Sequence, residues 1–268
     1  MAKEKTLQRL LTRREMLAMM GAAGVMAVAG CGDDDKAGSG AVTNGSTQAP
    51  STAATATPSD ASTVGGTPAP VTCVLTPEQT EGPYFVDERL NRSDIRSDPA
   101  AGSTKEGVPL RLSLTVSRVD GAACTPLAGA VVDMWHCDAL GVYSDVSGGA
   151  GQPDTAGQQF LRGYQVTDEN GQVEFQTIYP GWYTGRTPHI HFKVRTDPDS
   201  QQGFEFTSQL YFDESVTESV FSRAPYSSKG PADTTNATDG IFRAETLLPL
   251  TAEGDGYAGT FHIGVQMA

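Results

Sequence analysis

From His189 to Val194 the chain reads His-Ile-His-Phe-Lys-Val, alternating imidazole or charge with Ile190, Phe192 and Val194. A period of two is the mark of a β-strand, whose successive side chains point to opposite faces. This stretch therefore folds as a strand with one apolar face and with both histidines on the other. Two neutral imidazoles then share the same space, which is half of a metal site. Pro188 opens the strand without losing a ladder hydrogen bond, and Gly181 and Gly185 permit tight turns that bring Tyr183 and Arg186 back over the histidines. The chain holds only four histidines, and two lie here. A bare His-x-His also suits the polar face of any half-exposed strand, so the surrounding residues decide its meaning.

The same periodicity recurs on both sides. Leu110 to Val119, Ala130 to Trp135, Val173 to Ile178, Phe204 to Phe212 and Phe261 to Gln266 are short apolar or alternating runs. Turn signals such as Asp168-Glu169-Asn170-Gly171 and Val119-Asp120-Gly121 separate them. Helical periodicity is confined to a turn or two around Ser215 to Arg223. The fold class this predicts is all-β, a mostly antiparallel β-sandwich with few short helices. Residues 72–268 are enough for one such domain with a full core.

Upstream the composition changes twice. Residues 1–30 carry Lys3, Lys5, Arg9, Arg13 and Arg14 ahead of an apolar and small-residue run from Met16 to Gly30, which is short for a membrane span. Thr12-Arg13-Arg14-Glu15-Met16-Leu17 resembles a twin-arginine export signal, and Val28-Ala29-Gly30-Cys31 resembles a lipoprotein cleavage box that would make Cys31 the lipid-bearing first residue. The expected location is the bacterial cell envelope, periplasmic or on the outer face of the membrane, with membrane contact only through that anchor. An ordinary cysteine in a plain cleaved signal is the alternative for Cys31. Residues 31–71 are rich in Ser, Thr, Ala, Gly and Pro; such a segment buries too little surface to offset its conformational entropy and is expected to be a disordered linker. In an oxidising compartment two of Cys73, Cys124 and Cys137 can pair. Cys73 with Cys124 is the expected disulfide, because Cys73 opens the domain and Cys124 falls in the Gly121 to Pro126 turn; the sequence does not fix the pairing.

Three ordered motifs surround the histidines: Trp-x-x-x-x-x-Gly-x-Tyr from Trp135 to Tyr143, Pro-Gly-x-Tyr from Pro180 to Tyr183, and Arg-x-x-His-x-His from Arg186 to His191. Together they resemble the iron-ligand pattern of the intradiol ring-cleavage dioxygenases, the catechol-splitting family that includes protocatechuate 3,4-dioxygenase. The likeness runs from Thr76 to Phe212. It implies a non-haem Fe(III) cofactor held by Tyr143, Tyr183, His189 and His191, with hydroxide in a fifth position. It also implies a catechol-type aromatic and O2 as substrates, ring cleavage between the hydroxylated carbons, and a cis,cis-muconate-type product. Tyr183 is the ligand that the resemblance expects to be displaced by a catechol, Arg186 the group that stabilises charge on the attacked ring carbon, and Gln209 a polar neighbour on the O2 and substrate side. Thr80-Glu81-Gly82-Pro83-Tyr84-Phe85 resembles the family's Gly-Pro-aromatic segment over the pocket, so Gly82, Pro83 and Tyr84 are expected to line it. Phenolates and imidazoles are a donor set that favours Fe(III) over Fe(II). Only five residues separate Tyr183 from His189, a shorter connection than in protocatechuate enzymes, which predicts a more open pocket. Residues before Leu110 are too few for the helical amino-terminal domain of catechol 1,2-dioxygenases, so the likeness is to the protocatechuate-type core.

Trp135 and Trp182 read as packing residues, and Tyr164 and Tyr179 as competitors for the second tyrosinate. The alternative from another class is an exported β-sandwich binding or adhesion module that keeps the fold without turnover; two tyrosines and two histidines argue against it, since a binding module needs none of them. A zinc or copper hydrolase lacks here the acidic or third-histidine ligand that such sites usually use, which His136 or His262 could supply only by chance of folding. A Cys-His metal cluster at His136-Cys137 is disfavoured because neighbours in a strand face opposite ways. The whole chain carries a net charge of −13; its first thirty residues hold five basic and two acidic residues, so the remainder stands at −16. Such an acidic surface excludes nucleic acid as a partner. It leaves Arg186 to handle any substrate carboxylate locally. Nothing in the sequence sets the oligomeric state, and a homo-oligomer is compatible with it.

Overall fold

The structure, a computed structural model, describes residues 74–99, 101–149, 151–200 and 202–267. Cys31, expected as a lipidation residue, the expected export signal and linker, and Cys73 lie outside the described residues.

Among the described residues thirteen strands follow in chain order: β1 Ser97–Asp98, β2 Ser103–Thr104, β3 Pro109–Asp120, β4 Ala123–Pro126, β5 Val131–Trp135, β6 Ser147–Gly149, β7 Gln152–Asp154, β8 Arg162–Val166, β9 Gln172–Ile178, β10 His189–Arg195, β11 Glu205–Tyr211, β12 Leu250–Glu253 and β13 Gly256–Val265. The helix α1 spans Glu214–Phe221. Two sheets carry the fold, one of four strands in the order β11-β10-β5-β8, the other of five in the order β12-β13-β3-β4 with β9 also paired to β3. All pairings in the four-stranded sheet are antiparallel. The β13–β3 ladder is parallel.

Alternation explains the core. In β3, Leu110, Leu112, Leu114 and Val116 are buried, and they cluster with Ile190, Phe192 and Val194 of β10, Val132 and Met134 of β5 and Ile263 and Val265 of β13. Apolar side chains of both sheets thus meet in one layer, the sandwich arrangement expected from the periodicity. What the alternation did not disclose is that β10 is buried on both faces: all seven of its residues are buried. Its polar face is covered by the chain segment before β1. Ser208 Oγ donates to Pro77 O at 2.7 Å, Gln79 N to Thr207 O at 2.9 Å and Gln209 Nε2 to Thr80 O at 2.8 Å, and Lys193 pairs with Glu81. Arg195 closes the row with Asp133 at 2.8 Å and Asp87 at 3.0 Å. The arm therefore runs as a lid across the histidine face of a central strand.

Strand ends differ from the sequence expectation by a residue or so, except that β13 begins at Gly256, five residues before Phe261. The Gly121 turn connects β3 to β4, and Cys124 lies in β4, paired opposite Val119, instead of in the turn. Turn chemistry at Gly121 was legible; the short strand after it was not, because Ala-Cys-Thr-Pro carries no alternation. Cys124 is disulfide-bonded, and Cys137 is free and buried.

Candidate metal centre

Four side chains converge beneath the arm. His189 and His191 project from β10 on one face, with their Nε2 atoms 3.1 Å apart. The β-turn Tyr183-Thr184-Gly185-Arg186, closed by Arg186 N to Tyr183 O at 3.2 Å, requires the left-handed backbone that Gly185 supplies at φ +84°. It returns Tyr183 Oη to 3.2 Å from His189 Nε2. Gly181 is needed for a different reason: a Cβ there would lie 2.5 Å from Ala139 O. Tyr143 arrives from the loop after β5, its backbone N accepted by Gln152 Oε1 at 2.9 Å and its carbonyl bonded by Thr155 Oγ1 at 2.7 Å. The rings of Tyr143 and Tyr183 are 5.6 Å apart and nearly perpendicular.

Protonation states follow from these contacts. His189 Nδ1 lies 2.7 Å from Thr187 O, a carbonyl that only accepts, so Nδ1 carries the hydrogen and Nε2 presents its lone pair. Burial, followed by the nearby Arg186 charge, pushes His189 down to about 3. His191 is held well below the usual imidazole range by burial and then by His189. Burial pushes Tyr183 up to about 12, with Arg186 working in the opposite direction. Tyr143 lies well above the ordinary phenol value for the same first reason, with Tyr183 adding to it. Two neutral imidazoles and two phenols therefore face one another around a single point, with Arg186 Nη1 at its edge, 3.4 Å from His189 Nε2. Tyr143 Oη and His191 Nδ1 are buried without a hydrogen-bond partner. An orphaned phenolic oxygen among aimed lone pairs is costly without a cation and is satisfied by one, so these donors fit a hard, oxygen- and nitrogen-binding metal.

The remaining expected residues fall in place around this point. Arg186 Nη1 is 3.4 Å from His189 Nε2, and its Nη2 donates to Gln209 Oε1 at 2.6 Å. Gln209 stands opposite His191 in the β10–β11 register. Tyr84 stacks on Tyr143 at 4.5 Å and meets Tyr183 edge-on at 5.9 Å, and a Cβ on Gly82 would touch His191 Cε1 at 3.4 Å. Pro83 and Tyr84 border a cleft of about 340 Å³ with Val146 and Gly149. Trp135 stacks on the His191 ring at 4.9 Å and 7°, a packing role as expected. Tyr179 is turned into the core, its Oη bonded to Thr217 at 2.6 Å, and Tyr164 lies in β8 away from the histidines. His136 is unavailable as a third ligand, since its Nδ1 meets Cys137 O at 2.8 Å and its Nε2 meets Thr177 Oγ1 at 2.6 Å. His262 Nε2 is bonded to Ser117 at 2.8 Å in the other sheet. Among the described residues no three His, Cys, Asp or Glu side chains converge, so the tyrosines must complete any metal site.

Three contributors were not anticipated. Thr187 fixes the His189 tautomer, Asp239 binds Arg186, and Tyr211 Oη lies 3.2 Å from Arg186 Nη2 and 2.9 Å from Gln209 Oε1. Tyr211 was legible, being two residues beyond Gln209 and so on the same strand face. Thr187 acts through its backbone, and Asp239 sits fifty residues from the histidines in a turn, so neither left a pattern.

A family model described as Dioxygenase matches residues 80–226, more than half of the chain. The chain belongs to the intradiol ring-cleavage dioxygenases. That span of the dioxygenase contains all four converging donors, Arg186 and Gln209. An intradiol ring-cleavage dioxygenase from Tetranychus urticae is 32% identical, aligns over 72% of this chain and 95% of its own, and has a TM-score of 0.62. The dioxygenase domain of a dioxygenase carbohydrate-binding protein fusion from Streptomyces sp. SirexAA-E is 31% identical over 73% of this chain and all of its own, with a TM-score of 0.52. Catechol 1,2-dioxygenase 1 of Acinetobacter lwoffii is 32% identical over 145 residues, 46% of this chain and 42% of that protein. This dioxygenase spans about half the length of the curated relatives it matches.

Proposed function

We propose that the protein is a non-haem Fe(III) intradiol dioxygenase that cleaves a catechol-type ring with O2 to a cis,cis-muconate-type product. The observation that carries this reading is the convergence of Tyr143, Tyr183, His189 and His191, with an orphaned phenol at its centre. Relatives named for catechol and chlorocatechol 1,2-dioxygenation support a diol substrate. When bound by Tyr143, Tyr183, His189 and His191, ferric iron would supply a Lewis-acidic centre that makes a diol ring reactive toward O2.

The chain's own residues then have distinct tasks. His189 and His191 present neutral nitrogens, the former fixed by Thr187. Tyr143 is fully enclosed, whereas Tyr183 is partly exposed, so Tyr183 is the side chain with room to swing aside; held as a phenolate when the metal is bound, its Oη would accept a catechol proton on leaving. Arg186, with a side chain only 13% exposed, keeps its charge at every relevant pH and stabilises the negative charge that develops on the ring. Gln209 holds the guanidinium's Nη2, which leaves Nη1 turned to the site. Tyr84 and the arm around Gly82 and Pro83 exclude water from above. Residues 1–30 direct export, with lipidation at Cys31 and residues 31–71 as the tether of the 72–268 catalytic domain.

Iron-loaded protein given catechol in an oxygen electrode tests the reading, with the product identified by mass. The expected result is one O2 consumed per ring opened, both oxygen atoms in the product. Oxygen uptake without ring opening would contradict it.

A further inference from the structure

Asp239 lies outside the stretch matched by the family model, in the segment between α1 and β12. Its side chain is 1% exposed. Oδ2 accepts from Arg186 Nε at 2.9 Å and from Thr187 N at 3.0 Å, while Oδ1 accepts from Ile241 N at 2.8 Å. Neighbours on the same segment reinforce the grip: Asp233 Oδ1 accepts from Gly185 N at 3.1 Å, and Asn236 Oδ1 accepts from Thr187 Oγ1 at 2.9 Å.

We infer that Asp239 is a positioning residue that orients Arg186 and His189 together. A guanidinium on a flexible stem samples several rotamers unless its planar fork is held. Here Asp239 takes the Nε position and Gln209 takes Nη2, leaving Nη1 facing the site. The same carboxylate pins the amide of Thr187, whose carbonyl on the other side orients the His189 ring. One buried carboxylate thus sets the angle of the charge-stabilising group and of a donor nitrogen. This inference rests on the proposed role of Arg186. A small misplacement of such a group costs on the order of a hundredfold in rate.

Asp239→Asn keeps the shape and removes the charge. In the iron-loaded enzyme kcat is expected to fall roughly 10- to 100-fold, with KM for catechol changed less. Placed on Arg186→Gln, the same substitution is expected to add clearly less than it costs alone, because only the hold on Thr187 and His189 is left to lose. Multiplying penalties in the double variant, or an Asp239→Asn enzyme at the wild-type kcat, would overturn the inference. A second readout needs neither metal nor any Asp239 variant. In nitrogen-edited NMR of the metal-free protein, the Arg186 Nε–H signal, assigned as the one lost in Arg186→Gln, is expected to be protected from solvent exchange. Rapid exchange would overturn the positioning role, whereas an inactive wild type with a protected Nε–H would instead refute the proposed function.

Discussion

Tyr143 is the residue at which stability and metal binding pull apart. Its buried hydroxyl has no partner in the protein, and an unsatisfied buried hydroxyl costs roughly 1–3 kcal/mol. Tyr143→Phe is therefore expected to leave the metal-free protein as stable or more so in thermal melts, while iron affinity falls at least ~10-fold. A variant that lost stability without iron and kept full affinity would remove Tyr143 from the site. Arg186→Gln makes a different change: iron binding is retained, and kcat drops roughly 100-fold, the cost of losing one preorganised charge-stabilising group. Equal losses in iron content and turnover would show that Arg186 serves structure alone. The four donors were legible because each sits at a motif position, and Tyr211 was legible from strand parity. Asp239 was not, because its link to Arg186 exists only after the chain folds back on itself.

Among the elements, the arm and β10 form the decisive pair. The alternation of β10 located its two faces, yet it could not say that the polar face is also buried; that depends on Gln79, Thr80 and Glu81 finding β11 and Lys193 across more than a hundred residues. The Gly-Pro-aromatic likeness did point to Tyr84, and the ring stacks on Tyr143. Gly82 takes φ +73° beside His191. A β-branched residue there is strained and presses on the imidazole, so Gly82→Val is expected to cost about 1–3 kcal/mol and to weaken iron binding. Calorimetric titration of the variant checks this; unchanged affinity with unchanged stability would mean that the arm does not seat on the histidine. Strands without alternation, such as β4 and β8, escaped the sequence because their burial is set by neighbours and not by their own pattern.

For the molecule as a whole, acid stability should depend on a histidine that takes no part in the site. His136 is fully buried with both ring nitrogens bonded, and burial pushes it down to about 4. The unfolded chain takes up that proton near the ordinary value and the folded one does not. The stabilisation is therefore complete above about pH 6.5 and is lost as pH falls toward 4, a difference on the order of 3 kcal/mol. Denaturant titrations at several pH values are expected to show a shallower acid slope for His136→Asn than for wild type; identical slopes would refute this. The central claim concerns metal and substrate together. Its most direct test is the visible absorption spectrum of the purified iron-loaded protein, before and after anaerobic addition of catechol. A broad tyrosinate-to-iron band that moves to longer wavelength with catechol and weakens in Tyr143→Phe is the predicted result. A colourless protein after iron loading would contradict the account, because the four donors would then not meet on one ion.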